Sequence, residues 1–459
     1  MRRFDVVVIG AGIAGLRVAK QASKVGLDVC LIEKNRSGGK YVWWDIPLDL
    51  LTWASRKIRE ISDSEDFGFS VKQDFDFVML LKRIRQASSK LYERISSEEL
   101  GRLGIKVLRG APRFVSKNVL ELNNEKIVGR KFVIATGSKP YIPNFEGLDS
   151  VKFLTSEDLL SLKKLPKSVC VIGGGVTGVE LAFSLSRFGC QVALLEQSSK
   201  ILADFDDDIG AFVQDLLEKS GVKVFSDVLI KKVYHHSKRR VVEAITDKKK
   251  VIIKSDELFL ATGKLAYTEG LNLNAARVRF DEDGIKVNKR CRTSSRKIFA
   301  CGDVTRSVCA SQAVHQADVV LANLLNIPKF VNFSKIPLVV STDPVIAMVG
   351  KTEKDLSKNK FRTIRVEFKD VDVGKYKSAE GFLKLVLRGS KIVGVVLAHR
   401  FASELINNYA LVIGKNIRVL RKIIFPIPGL AQINSLALEK FFRKKNGLKN
   451  ALLRLSGKI

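Results

Sequence analysis

Gly10, Gly12 and Gly15 stand at the spacing Gly-x-Gly-x-x-Gly, and Gly173, Gly175 and Gly178 repeat it later in the chain. In such a turn the first glycine permits a tight bend, the second lets the backbone approach a pyrophosphate, and the third lets helix and strand pack closely. An acidic residue about 20 positions on binds a ribose hydroxyl, and Glu33 and Glu196 stand where the two turns require one. A single turn of this kind is a weak signal. Two, each following a strand and leading to an acidic strand end, imply two dinucleotide pockets in one polypeptide, which points to a flavin and a nicotinamide.

The elements that must hold these residues are legible around them. Residues 4–34 read as a β-branched strand, a glycine-rich turn, an amphipathic helix and a second strand, and residues 168–198 repeat the order. At 459 residues the chain is too long for one core, and roughly 100–200 residues per domain suggests three. Its hydrophobic fraction of 46% is that of a globular protein. Met1-Arg2-Arg3 runs straight into the first strand, leaving no room for a cleavable apolar segment, and no stretch approaches the roughly 18 apolar residues of a membrane span. The expectation is a cytoplasmic protein. Cys30, Cys170, Cys190, Cys291, Cys301 and Cys309 show no zinc-like pairs, so they are read as buried thiols and no metal site is expected.

The formal net charge of +31 is spread through loops and helix faces rather than gathered in one stripe, so no specific nucleic-acid partner is expected. The densest stretch is 415–459, with eleven Lys or Arg against the single Glu439. Within it Leu448, Ala451, Leu452 and Leu455 recur at helical spacing, with Lys449 and Arg454 on other faces. That pattern suits a peripheral contact with an anionic surface, such as the inner face of a membrane, or packing against the domain or a second subunit. A second basic cluster, Lys231 to Arg240, contains His235 and His236 without a nearby Cys or carboxylate at ligand spacing, and reads as an exposed hairpin.

Three further motifs fix the architecture. Residues 132–138 and 258–264 are apolar strands ending in Ala135-Thr136-Gly137 and Ala261-Thr262-Gly263, and residues 298–303 are an apolar strand ending in Gly302-Asp303. With these, the chain resembles the class I pyridine nucleotide-disulfide oxidoreductases, the family of dihydrolipoamide dehydrogenase, glutathione reductase and mercuric reductase. The resemblance runs nearly end to end. It implies an α/β fold of two Rossmann-like dinucleotide-binding domains, for FAD and NAD, plus a C-terminal α+β dimerisation domain. The FAD-binding domain would be 1–145 with 267–330, the NAD(P)-binding domain 146–266, and the dimerisation domain of a homodimer 331–459. It implies flavin or nicotinamide contacts at Gly39, Ala111, Ala135, Thr136, Gly137, Gly263 and Gly302, and it gives Asp303 the flavin's ribityl chain.

The resemblance breaks at the family's sulfur relay. Where the disulfide reductases read Gly-Gly-Thr-Cys, four residues, then Cys-Ile-Pro-Ser-Lys, this chain reads Gly38-Gly39-Lys40-Tyr41-Val42-Trp43-Trp44-Asp45-Ile46-Pro47-Leu48-Asp49. One residue is deleted, Tyr41 takes the first cysteine's place, no cysteine takes the second's, and Asp49 stands for the lysine. Thiol–disulfide exchange needs a thiolate attacking a disulfide, so it cannot run there. Mercuric-reductase-like members also carry His-Pro-x-Pro-Thr-Leu-Ser-Glu near the C-terminus as an acid–base dyad. Here Phe425 replaces the histidine and Gln432 the glutamate, and neither titrates near neutrality.

The nicotinamide side keeps its parts. Glu180 matches a family glutamate beside the flavin, and Glu196 would accept from an adenosine ribose 2′-hydroxyl while repelling a 2′-phosphate, which favours NADH over NADPH. These features imply an FAD-dependent NAD(P)H oxidoreductase whose flavin passes electrons to a small-molecule, non-disulfide acceptor: a quinone, a dye, oxygen or an electron carrier. Trp43 and Trp44 either stack on a planar acceptor or fill the volume left by the deleted residue. A pyridine nucleotide transhydrogenase, a mercuric-reductase-like or dihydrolipoyl dehydrogenase paralogue, and a non-enzymatic FAD-binding scaffold are the alternatives.

Overall fold

β-Branched and apolar runs bounded by glycine turns form the strands that the sequence announces. The computed structural model describes residues 2–70, 74–247, 249–356, 361–376 and 380–443. These fall into two compact units, residues 1–201 with 217–332 and residues 202–216 with 333–459. The apolar stripe expected at Leu448–Leu455 lies outside the described residues.

The first unit holds two parallel sheets. In the first, the strands Ile105–Arg109, Val29–Glu33, Arg2–Ile9 and Glu125–Ile134 lie side by side, and Ile298–Ala300 pairs in parallel with the end of Glu125–Ile134. The start of Glu125–Ile134 instead pairs with an antiparallel flap, Val119–Leu122 and Arg113–Ser116. Val7, Val8, Cys30, Leu31, Ile32, Val133 and Ile134 are wholly buried, as expected where both faces of a parallel sheet are covered. The chain leaves Arg2–Ile9 on one side and returns on the other, so a crevice opens at the carboxyl ends of the strands, where α/β sheets bind ligands.

The second sheet is four parallel strands in the order Lys223–Phe225, Gln191–Leu195, Ser168–Ile172 and Glu257–Leu260. The expected hairpin is Leu229–His236 against Arg239–Thr246, with His235 opposite Arg240 and both histidines exposed. The two crossings between the sheets, Ser138–Pro140 and Lys264–Ala266, pair antiparallel.

The second unit is a five-stranded antiparallel sheet, Leu338–Val340, Val345–Gly350, Lys391–His399, Phe382–Arg388 and Arg362–Glu367. It packs with the helix Ala402–Ala410 around Leu383, Leu385, Val395, Leu397 and Ile406. Leu202–Leu216, expected within 146–266, clusters here. Lys384, 2% exposed, anchors it, with Nζ 3.0 Å from Asp206, 2.7 Å from Asp208 and 2.7 Å from Glu353. These three carboxylates are spaced closely enough to hold a metal, but the lysine ammonium occupies their centre. No helix among the described residues is long and apolar enough to cross a membrane.

Candidate functional site

The first glycine turn follows directly from its backbone. Gly10 sits at φ +101° with its missing side chain against the Ala135 carbonyl, and a side chain on Gly15 would overlap the Gly10 carbonyl. Gly12 differs: its φ of −75° suits any residue, and an added Cβ would meet no protein atom within 4 Å. Glycine at this position therefore leaves room for something that is not protein. Gly12 also caps the helix Ile13–Lys24 without a side-chain hydrogen bond and with no acidic residue in the first turn, so the helix's leading N–H groups are available to an anion. Glu33 secures the turn, accepting from Ala11 N at 2.7 Å and Asn35 N at 2.9 Å. Gly110 N donates to the Glu33 carbonyl, which places Ala111 alongside.

The second turn repeats this in detail. Gly173 is at φ +111° against the Ala261 carbonyl, Gly178 lies against the Gly173 carbonyl, and Gly175 faces open space. Glu196 accepts from Gly174 N at 2.5 Å and Ser198 N at 2.7 Å. Glu180 is half-buried on the helix Val176–Arg187 that this turn opens, and Gly263 closes the Ala261-Thr262 strand end beside it.

Over the first turn lies a second layer. Gly38 N donates to the Ala11 carbonyl, and an added Cβ on Gly39 would come 3.0 Å from Gly12 Cα. Thr136 Oγ1 donates to the Tyr267 carbonyl and Tyr267 N to that of Gly137, while Gly302 N donates to Gln316. Asp303 then accepts from Ser138 and Lys264 on Oδ2, at 2.9 and 2.7 Å, and from Ser307 on Oδ1 at 3.0 Å. Burial acts to raise its carboxyl, but Lys264 and the hydroxyls outweigh this and hold it below the usual carboxylate range.

Gly10, Gly12, Gly15, Gly39, Ala135, Thr136, Gly137, Gly302 and Asp303 thus converge on one crevice, and Gly173, Gly175, Gly178, Glu196 and Gly263 gather at a second. The donors, the open cradle at Gly12 and the carboxylate at Asp303 fit an extended dinucleotide such as FAD.

Of the two indoles, Trp44 requires a correction. Trp44 is 2% exposed and packs on Phe259, with ring centroids 6.0 Å apart. Trp43 donates from Nε1 to the Ser37 carbonyl at 3.0 Å, and the Arg36 guanidinium covers its ring at 3.6 Å. Trp44 therefore serves as packing rather than as a platform for an acceptor, whereas Trp43, on the same π-helical turn Tyr41–Asp45, is half-buried. Sequence reasoning also overlooked Lys40, Asp45 and Lys264. Their signal was charge beside the glycine motifs, at Lys40 and Asp45 between Gly39 and Ile46 and at Lys264 directly after Gly263.

All six cysteines are free. Burial pushes the thiols of Cys30, Cys170, Cys190 and Cys291 up to about 12 and raises those of Cys301 and Cys309.

Two glycine-turn crevices in one chain, one of them backed by the Asp303 carboxylate, define a protein of the two-dinucleotide class. The chain matches the pyridine nucleotide-disulphide oxidoreductase family over residues 4–319 and that family's dimerisation domain over residues 336–433, and it belongs to this family. Members bind FAD and use NAD(P)H, and the dimerisation domain supports a homodimer. A dihydrolipoyl dehydrogenase of Thermus scotoductus is 31% identical over 462 residues, covering 94% of this chain and 96% of the relative. A mercuric reductase of Lysinibacillus sphaericus is 28% identical, covering 88% and 76%. Among solved structures, the HOCl-induced flavoprotein disulfide reductase RclA of Escherichia coli in its Cu(II) complex superposes with a TM-score of 0.84 at 25% identity, covering 95% of this chain and 99% of that one.

Proposed function

We propose that this chain is an FAD-dependent NADH:acceptor oxidoreductase that lacks the family's redox disulfide and C-terminal dyad and hands electrons directly to a small-molecule acceptor, with a quinone as the leading candidate. The observation that carries the reading is the segment Tyr41–Asp45, which occupies the relay position with no sulfur, while every cysteine of the chain is free and carries a raised thiol. Bound in the first crevice, FAD supplies a two-electron centre between nicotinamide and acceptor. The chain's residues do the rest. The Gly12 turn and the helix behind it hold the pyrophosphate, Glu33 the adenosine ribose, and Asp303 the ribityl hydroxyls. The Gly175 turn and Glu196 hold NADH, Glu196 disfavouring the extra phosphate of NADPH, and Glu180 lies beside the nicotinamide. The three-domain division, with FAD-binding residues 1–145 and 267–330, NAD(P)-binding residues 146–266 and dimerisation residues 331–459, is part of this reading. So are a cytoplasmic location and an anionic-surface contact through 415–459.

The test is anaerobic reduction by NADH followed by stopped-flow reoxidation with quinones, oxygen, lipoamide and NADP. Fast reoxidation by quinone with background rates for lipoamide is expected. Appreciable lipoamide turnover overturns the proposal, and fastest reoxidation by NADP makes the protein a transhydrogenase.

A further inference from the structure

One helical hairpin presents apolar side chains to solvent at its tip. The helices Ile46–Asp63 and Phe77–Glu93 lie in contact. The turn that ends the first exposes Phe67 by 70% and Phe69 by 64%, with Gly68 between them at φ +83°. The start of the second adds Phe75, Val78 and Met79, all exposed. Phe75 is held from below: it stacks on Phe188 with ring centroids 4.6 Å apart and planes 9° from parallel, and Phe77 meets Phe188 edge-on at 5.8 Å. Phe188 itself ends the helix Val176–Arg187. A patch of large apolar side chains fixed in the open marks an interaction site.

The charge of this tip runs against that of the chain. Between Glu60 and Asp76 the sequence holds six acidic residues and the single Lys72, in a chain of net charge +31. Three of the six are engaged: Glu60 pairs with Lys57 at 2.6 Å, Asp63 with Arg59 at 3.6 Å, and Asp76 accepts from Met79 N at 3.0 Å as the cap of the second helix. Glu65, Asp66 and Asp74 are exposed and pair with no basic side chain among the described residues. The sign reverses at Lys82 and Arg83, so the acidic face ends within the first turns of that helix. These carboxylates repel an anionic lipid surface, and the same tip of a second copy would set acid against acid. What fits is a basic segment with an apolar stripe.

The chain carries such a segment. Residues 444–459 contain Lys444, Lys445, Lys449, Arg454 and Lys458 and no acidic side chain, and the sequence spaces Leu448, Ala451, Leu452 and Leu455 as one face of a helix. The segment follows the dimerisation domain, residues 336–433, so in the homodimer it continues the part of the chain that meets the second subunit. We infer that the hairpin tip of one subunit receives the C-terminal segment 444–459 of its partner, the exposed phenylalanines taking the leucines and Glu65, Asp66 and Asp74 the lysines. This takes the anionic-surface contact proposed for 415–459 and gives it a protein surface as its target. It does not rest on the cofactor or the acceptor.

The experiment is carbodiimide cross-linking of the full-length protein, which joins a carboxylate to a lysine amine where the two touch, read by mass spectrometry. Two chains are co-expressed. One carries Glu65→Gln, Asp66→Asn and Asp74→Asn with an unchanged tail, and the other keeps its acidic tip but carries Lys444→Arg, Lys445→Arg, Lys449→Arg and Lys458→Arg. Links from positions 65, 66 or 74 to the tail can then form only between unlike subunits, since neither chain alone nor either homodimer holds both partners. They are expected at low salt and should be lost at about 1 M salt, where the screening length is about 3 Å. In the wild-type dimer, Glu65→Lys with Asp66→Lys should abolish the links at Asp74, and Lys449→Glu with Arg454→Glu added to the same chain should restore tip-to-tail links. Links seen in wild type but absent from the mixed dimer, tip carboxylates joined to another basic surface, or no links at all overturn the inference. A tail captured only by added anionic vesicles overturns it too, while leaving the anionic-surface reading of 415–459 intact. The oxidoreductase reading fails separately, by a protein that binds no flavin.

Discussion

The two glycine turns are nearly the same object built twice, and on the proposed function what differs between them would separate a retained cofactor from an exchanged one. Gly12 and Gly175 have almost identical backbones, with φ −75° and −72° and ψ −178° in both. Each turn has a glutamate gripping two backbone N–H groups. The first is covered, since Gly38 and Gly39 cross it and Asp303, Lys264 and Lys40 gather beyond it. No comparable strap crosses Gly175 among the described contacts, and its turn carries Gly174 where the first has Ala11. On the proposed function, local geometry would set what kind of molecule is bound and the layer above would set whether it stays.

The sharpest way to break this comparison is to damage each turn in the same way. Gly10→Ala and Gly173→Ala both place a Cβ against a carbonyl at positive φ, a cost of about 1–3 kcal/mol before any overlap. The first should abolish retained flavin, read as visible absorbance per chain. The second should leave the protein yellow but end reduction by NADH. Loss of flavin from Gly173→Ala would show that the turns are not independent.

Next come the glutamates. Glu33→Ala removes a carboxylate holding two backbone N–H groups, and with charged hydrogen bonds at about 1.5–3 kcal/mol the flavin affinity should fall roughly ten- to hundredfold by equilibrium dialysis. Glu196→Ala should leave flavin affinity unchanged and narrow the preference for NADH over NADPH by about tenfold in flavin-reduction efficiency. An unchanged ratio means that Glu196 does not meet the ribose.

A smaller effect tests the layer above the first turn. Asp303 titrates below its ordinary value of 3.8, so its charged form stabilises the fold above that pH, and the contribution is lost as pH falls through the depressed folded value. Asp45 has the opposite sign: its raised value makes its charge unfavourable once pH exceeds it. In neutral-pH thermal melts of the apoprotein, Asp303→Asn should destabilise by about 1–2 kcal/mol, while Asp45→Asn should be neutral or stabilising. Destabilisation by Asp45→Asn would mean that its pair with Lys40 is structural. The smallest effect is expected from Gly174→Ala, whose Cβ would come 2.8 Å from Ile201 and 3.0 Å from Glu196. It should weaken NADH several-fold, at a cost of about 1 kcal/mol, with flavin unchanged.

The turns were legible because each is a local device, with glycines, strand and acidic end inside about 30 residues. The charge cluster was not, because Lys40, Lys264 and Asp303 are brought together only by the crossings between the sheets. Trp44 stayed open to two readings because an aromatic residue in a shortened loop has the same sequence whether it lines a face or fills a core. Lys384 was equally opaque: its strand, FLKLVLR, reads as alternation with a solvent-facing lysine, yet the residue is buried and its partners lie far away in sequence.

That lysine has a consequence for the order in which the protein can be made. Asp206 leaves the ribosome 178 residues before Lys384, which at 5–20 residues per second is on the order of ten seconds or more of synthesis. Until Lys384 is made, neither Asp206 nor Asp208 can have its buried ammonium partner. A fragment starting at residue 333 would leave Lys384 without either aspartate. The C-terminal unit is thus completed by a segment from the middle of the chain.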